Sequence, residues 1–260
     1  MKVHKSVKKN VINLLISVFI ATGLGFLFGF ANQDHKGWQY KSIIIRIKHY
    51  NENQFIDEKD VKKVIAGYYG DKYNRHPISV MDLEKLEAIL LEDPFVADAE
   101  VYSNISGELI FDITEKEPIM RVINMNGVSY YIDKNGMRLP LCDKFTARVP
   151  VATGYIFEGS YYHVGLKDQL LKELYVLAKF VYESKYWKAQ IEQVHVNGKK
   201  DIELITRIGN QYIVLGGVDD LEEKFAKLDA FYEECLKTIG WDKYRIINLK
   251  YKDQIVCTKY

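Results

Sequence analysis

The sequence predicts an α+β chain: an N-terminal transmembrane helix, a small domain of order β-α-α-β-β, and a mixed β-rich domain with two helices. Three observations carry this reading. Val11 to Ala31 is a run of 21 residues without a charge. Leu83 to Pro118 reads as a helix, a sharp stop and two paired strands. Beyond Pro118 short alternating stretches dominate, interrupted by two amphipathic segments.

Residues 1–10 form a basic tail with Lys2, Lys5, Lys8 and Lys9. At about 1.5 Å per residue the segment 11–31 spans roughly 30 Å, the thickness of a bilayer core. It is longer than the apolar core of a usual signal peptide, so an uncleaved anchor is expected. The flanking lysines place the tail in the cytoplasm and the chain from about residue 33 outside it. Gly25 and Gly29 stand at the spacing that lets two membrane helices approach, though glycine is common in such helices.

Tyr40 to Tyr50 alternates weakly, with Ile43, Ile45 and Ile47 on one face. Asp57 is placed to cap a helix carrying Val61, Val64 and Ile65 inward and ending at Gly67. After a polar loop over 68–80, Asp82 caps a second helix with Leu83, Leu86, Leu90 and Leu91 at helical spacing. Pro94 stops it, having no N–H and disfavouring helix at Asp93. Phe95 and Val96 enter a core, and Ala97, Ala99 and Val101 begin a strand. Asn104-Ile-Ser-Gly turns the chain into Leu109, Phe111 and Ile113. Two helices over three strands over residues 40–117 is the minimum for an independent core.

In residues 118–260, Met120–Met125 and Val128–Ile132 flank Asn126-Gly127, a strong hairpin signal. Lys134-Asn135-Gly136 turns toward Met137–Leu139. Leu166 to Tyr186 is expected as one helix with Leu170, Leu174, Leu177, Ala178 and Val181 inward. Strands follow at Ile191–Val196, Asp201–Arg207 and Gln211–Leu215. A helix over Asp219 to Thr238 buries Leu221, Phe225, Leu228, Tyr232 and Cys235, and strands Arg245–Tyr251 and Gln254–Tyr260 close the chain.

Composition narrows the function. Apolar residues make up 48% of 260, and five prolines leave little room for long disordered linkers. The net charge is +1; four lysines in the first ten residues supply +4, so the remainder carries about −3. That lacks the basic surplus of nucleic-acid binders. Cys142, Cys235 and Cys257 are far apart, and the six histidines never fall at metal-ligand spacing. A Cys235–Cys257 disulfide is open outside the cytoplasm; three isolated small hydrophobes is the simpler reading. No Gly-x-Ser-x-Gly, His-Glu-x-x-His or phosphate-binding loop occurs. Cys142 has no neighbouring histidine, His195 reads as an exposed strand residue, and Glu115 and Glu117 read as a solvated strand end. No catalytic residue, metal, cofactor, nucleic acid or small-molecule substrate is expected, and binding rather than catalysis is.

The spaced leucines, then Pro94-Phe95-Val96, then Ala99-x-Val101, then a strand closing on Glu115-Lys116-Glu117-Pro118 resemble a POTRA domain. That closing run, with Tyr131-Ile132-Asp133-x-x-Gly136, is similar to the FtsQ/DivIB family of bacterial division proteins. Val214-Leu215-Gly216 before a helix, and Asn248-Leu249-Lys250-Tyr251 where the family has Asp-Leu-Arg-Tyr, extend the resemblance to the β-domain. The resemblance implies a divisome scaffold at the septum of the cytoplasmic membrane, with FtsB/FtsL-like partners and other division proteins contacted through the POTRA domain. It implies strand addition at the last strand, Gln254–Tyr260, which nothing follows. By position the partner-binding residues are Leu249, Tyr251, Ile255, Val256, Thr258 and Tyr260. The alternative is a POTRA-containing transport or assembly factor acting with an outer-membrane β-barrel.

Overall fold

The computed structural model describes residues 18–20, 22–23, 42–50, 52–70, 73, 81–158 and 166–260. Of the expected anchor 11–31, residues 18–20, 22 and 23 are described and helical, with Thr22 Oγ1 donating to Val18 O at 2.8 Å. The remainder of that segment, the tail 1–10 and most of the loop 68–80 lie outside the described residues. Among the described residues no helix is long and apolar enough to cross a membrane.

The first elements follow the expected order: β1 (Ser42–Lys48), α1 (Glu58–Tyr69), α2 (Leu83–Leu91), β2 (Val96–Ser103) and β3 (Glu108–Glu115). The strands form a three-stranded sheet of order β1-β3-β2, with the last strand in the middle. Asp82 Oδ1 accepts from Lys85 N at 2.9 Å, the expected cap of α2. Helix α1 runs past Gly67 and stops instead at Gly70, whose φ of +81° is left-handed and whose N–H donates to Ala66 O at 2.7 Å.

Among the described residues, those of 42–46, 58–90 and 99–113 form one compact unit, and those of 47–57, 91–98 and 114–260 form another. Val61, Ile65, Leu86, Leu90, Leu109, Phe111 and Ile113 are among the buried residues of the first. Within it Glu87 Oε1 accepts from Val101 N at 2.7 Å.

The second unit holds a nine-stranded sheet. Its strands are β4 (Pro118–Ile123), β5 (Ser129–Asp133), β6 (Arg138–Leu139), β7 (Val151–Gly154), β8 (Ile191–Val196), β9 (Ile202–Thr206), β10 (Tyr212–Gly216), β11 (Tyr244–Asn248) and β12 (Val256–Lys259). Their order is β12-β11-β10-β9-β8-β7-β4-β5-β6. The Asn126-Gly127 hairpin forms as expected: Gly127 has φ +77°, and Asn124 Oδ1 accepts from Asn126 N and Val128 N. Asp133 plays the same part at the next turn, accepting from Asn135 N and Met137 N.

Strand β7 has no counterpart in the sequence reading. It pairs parallel with β4 through Val151 and Ala152, and parallel with β8 through Val151 to Gly154. Four residues with a buried alanine and a terminal glycine carry too little alternation to stand out. Gly154 has φ +99°, and a Cβ there would lie 2.1 Å from Val196 O, so the backbone approach requires glycine.

The expected helix 166–186 is two helices, α3 (Gln169–Glu183) and α4 (Lys185–Gln190), so the described residues of this domain hold three rather than two. Asp168 caps α3 through Leu170 N and Leu171 N. Ser184 leaves the helical region at φ −91°, ψ 114°, and its hydroxyl accepts from Trp187 N, ending α3 and starting α4. This turns Trp187 into the core, where it meets Phe225 at 5.0 Å and Tyr232 at 5.8 Å. The third helix, α5 (Leu221–Phe231), continues through a π-helical turn at Tyr232–Leu236 to Ile239. Leu171, Leu174, Leu177, Leu228, Val194, Leu204, Ile213 and Ile247 join these rings in one hydrophobic cluster. Each fully buried aliphatic side chain contributes about 1.5–3 kcal/mol of transfer energy.

Glu115 and Glu117 are not solvated. They are 0% and 5% exposed. Glu115 Oε1 accepts from Ile56 N at 2.8 Å, and its Oε2 lies 3.0 Å from His49 Nδ1. Glu117 Oε1 accepts from Tyr182 Oη at 2.5 Å, and Lys134 Nζ stands 3.5 Å from Oε2. A buried carboxylate is tolerated only with such partners. His195 is half-buried rather than exposed, with Nδ1 3.2 Å from Thr153 Oγ1. All three cysteines are free thiols.

Gly154→Ala lowers the unfolding free energy by at least about 2 kcal/mol, whereas Gly198→Ala, with ordinary contacts and no left-handed φ, stays within about 0.5 kcal/mol. Denaturant titration of the full-length variants checks this. Burial pushes the Asp133 carboxyl above its usual range, against the backbone N–H bonds of Met137 and Asn135 and the charges of Lys116 and Lys134. A raised folded-state value favours the folded state below the unfolded value, a contribution lost as pH rises through the folded value. Asp133→Asn keeps the Oδ1 acceptor, so its stability relative to the native chain rises as pH increases from the unfolded carboxyl value of about 4 through the range where the folded carboxyl ionises. Thermal melts across that range measure it.

Candidate partner-binding edge

A strand at the end of a sheet offers unpaired N–H and C=O groups to a further strand. The nine-stranded sheet has two ends. At one, β6 is two residues long, with Arg138 and Leu139 both buried. At the other, β12 pairs antiparallel with β11 in the register Asn248↔Val256, Ile247↔Cys257 and Ile246↔Thr258. It is shorter than the expected 254–260, and Asp253 at φ +53° takes the left-handed turn that precedes it.

The six residues expected at this edge separate by the strand period of two. Val256 and Thr258 are exposed, as is Tyr260 just past the strand, at 42% for Val256 and 69% for Tyr260. Tyr260 Oη donates to Asn210 O at 3.3 Å. Ile255 and Cys257, in the alternate row, pack against the hydrophobic cluster. Tyr251 is exposed on the turn, where its carbonyl accepts from Lys227 Nζ at 2.8 Å. Leu249 is fully buried in the cluster, and its N–H donates to Val214 O at 2.9 Å. Its side chain is therefore out of a partner's reach.

Register extends the outward rows across neighbouring strands. Thr258 faces Ile246, which faces Tyr212, which faces Ile205. Val256 faces Asn248, which faces Val214. Tyr212, Val214 and Ile246 are absent from the six residues read from sequence. The order strand–helix–strand over β10, α5 and β11 is the signal that could have found them, because such a crossover makes the two strands parallel neighbours.

The same pairing sets Val214-Leu215-Gly216 beside Asn248-Leu249-Lys250-Tyr251. Gly216 has φ +77°, and a Cβ there would come within 2.8 Å of Lys250 Cγ. Lys250 Nζ bonds Asp201 at 2.8 and 3.0 Å, which raises its pKa above the usual lysine range. Burial pushes the Cys257 thiol up, with a further push from Cys235. Among the described residues no group of three or more His, Cys, Asp or Glu is placed to hold a metal ion.

Leu249→Ala destabilises the fold by about 2–5 kcal/mol, whereas Val256→Ala and Thr258→Ala, on the outward row, stay within about 0.5 kcal/mol. Chemical denaturation of the three variants separates core from edge.

Residues 40–114 match a family model described as a POTRA-like domain. Residues 117–258 match the model described as FtsQ/DivIB, C-terminal related. A comparison with curated proteins finds no match. The two matches support a cell-division role and division-complex protein interactions, in a family of non-catalytic scaffolds. With the C-terminal match alone spanning more than half of the residues, the chain belongs to the FtsQ/DivIB family.

Proposed function

We propose that this protein is a divisome scaffold that links early and late division proteins by binding, and that it holds FtsB/FtsL-like partners by adding a strand along β12. The observation that carries this reading is the terminal position of β12 with Val256, Thr258 and Tyr260 on its outward row. Backbone pairing supplies affinity in this mode, and alternate side chains supply register. Ile255 and Cys257 fasten the strand to its own core while the outward row is left for a partner. Segment 11–31 serves as a single membrane pass, with the N-terminus in the cytoplasm and the following domains outside, at the septum. Residues 40–117 act as the domain that contacts other division proteins, and residues 118–260 as the domain that holds the partner strand.

A photo-crosslinking scan in cells, one residue at a time from Lys250 to Tyr260, tests it. Small single-pass coiled-coil proteins are captured at Val256, Thr258 and Tyr260, and not at Ile255 or Cys257. Capture of an outer-membrane barrel protein would support the transport reading instead. Absence of any crosslink along the strand would remove β12 as the interface.

A further inference from the structure

A second surface of the molecule lies away from the chemistry of the β12 edge. Glu52 and Asn53, Pro118 at the start of β4, Phe145, Arg148 and Val149 before β7, and Lys188 on α4 surround a cavity of about 430 Å³, open at one side. All seven residues belong to the same compact unit. The volume falls in the range of ligand cavities, roughly 300–1,000 Å³.

Its walls are held from behind. Phe145 stands edge-on to Phe55 at 5.6 Å, and Phe55 stacks on Phe95 at 4.9 Å. Arg121 N donates to Pro150 O at 2.9 Å, and Ala147 N to Tyr131 Oη at 3.2 Å, tying the 145–150 loop to the sheet. Asn53 is buried, with its N–H donating to Tyr50 O at 3.1 Å.

The two cations of the cavity are weakly neutralised. Lys188 Nζ sits 4.1 Å from the centre of the Tyr182 ring and pairs with no carboxylate among the described residues. Burial and the Glu117 carboxylate push the Tyr182 hydroxyl up to about 12, so it stays protonated and brings no negative charge to Lys188. Glu117 is itself occupied by Tyr182 and Lys134. The Arg148 side chain is 91% exposed and, among the described residues, pairs only with Glu52, at 3.8 Å and itself 83% exposed, a contact that water and salt largely screen. Beside these charges stand the apolar surfaces of Phe145, Pro118 and Val149.

We infer that this cavity takes an acidic peptide segment from a protein partner. A carboxylate of the segment lies between Arg148 and Lys188, and a neighbouring apolar side chain lies against Phe145, Pro118 and Val149. Charge complementarity selects the acidic residue, and the apolar wall selects the residue beside it. The inference is independent of strand addition, so its failure leaves the β12 reading untouched.

The test uses the full-length protein and fluorescein-labelled acetyl-Gly-Leu-Asp-Phe-Glu-Gly amide, with the Asn/Gln analogue as its neutral counterpart, read by anisotropy. The acidic peptide binds saturably in the micromolar to millimolar range, about tenfold more tightly than the neutral one. Binding weakens severalfold as salt rises from about 50 to about 300 mM. Arg148→Glu with Lys188→Glu reduces it about tenfold or more, and Lys188→Gln alone reduces it less, with far-ultraviolet circular dichroism confirming that the variants are folded. Equal binding of both peptides, an unaffected double variant, or no binding at about 1 mM peptide would each overturn the proposal. So would displacement by acetate at the peptide's own concentration, which would mark a simple carboxylate site.

Discussion

The parallel pairing of β7 is the constraint on which the larger domain depends. Val151 to Gly154 bond to β4 on one side and to β8 on the other, joining the β4–β5–β6 meander to the strands β8 to β12. Without those four residues the sheet would fall into two pieces, each with a new open edge. The close passage of Gly154 over Val196 O and the bond from Tyr155 N to the same oxygen, at 2.9 Å, hold the junction. One continuous sheet then lets the helices α3, α4 and α5 share a single hydrophobic cluster.

Around that cluster the aromatic residues do most of the shaping. Trp187, Phe225, Tyr232 and Trp241 meet in edge-on and tilted pairs between 5.0 and 5.8 Å, the geometry favoured by ring quadrupoles. Trp187 reaches them only because Ser184 breaks one helix into two. The buried carboxylates Glu115 and Glu117 act differently. Glu115 is held by Ile56 N and lies beside His49, and Glu117 is held by Tyr182 and Lys134, so each ties segments distant in the sequence to one buried carboxylate.

At the far end of the sheet, one short strand divides its alternate residues between the hydrophobic cluster and solvent. Ile255 and Cys257 belong to the core, while Val256 and Thr258 belong to solvent. Lys259 carries a charge at the strand's end, the usual guard against indiscriminate pairing. The cavity between Phe145 and Lys188 presents a different surface, side-chain charge beside an apolar wall in place of free backbone.

Local signals in the sequence determined the helices α1, α2 and α5, the hairpins at Asn126-Gly127 and Lys134-Asn135-Gly136, and the terminal strand with its alternating row. Periodicity, caps and left-handed turns act within a few residues, so they are legible in one dimension. The POTRA-like order of strands and helices, and the family, were legible for the same reason, because both are patterns of such local pieces. Tertiary structure alone decided the rest. It inserted β7, whose four residues gain a strand only by pairing with neighbours distant in sequence. It buried Glu115 and Glu117, whose partners His49, Ile56, Lys134 and Tyr182 arrive from elsewhere in the chain. It also sent Leu249 inward while leaving Thr258 out, because burial is set by what packs over a residue, and sequence spacing does not record that.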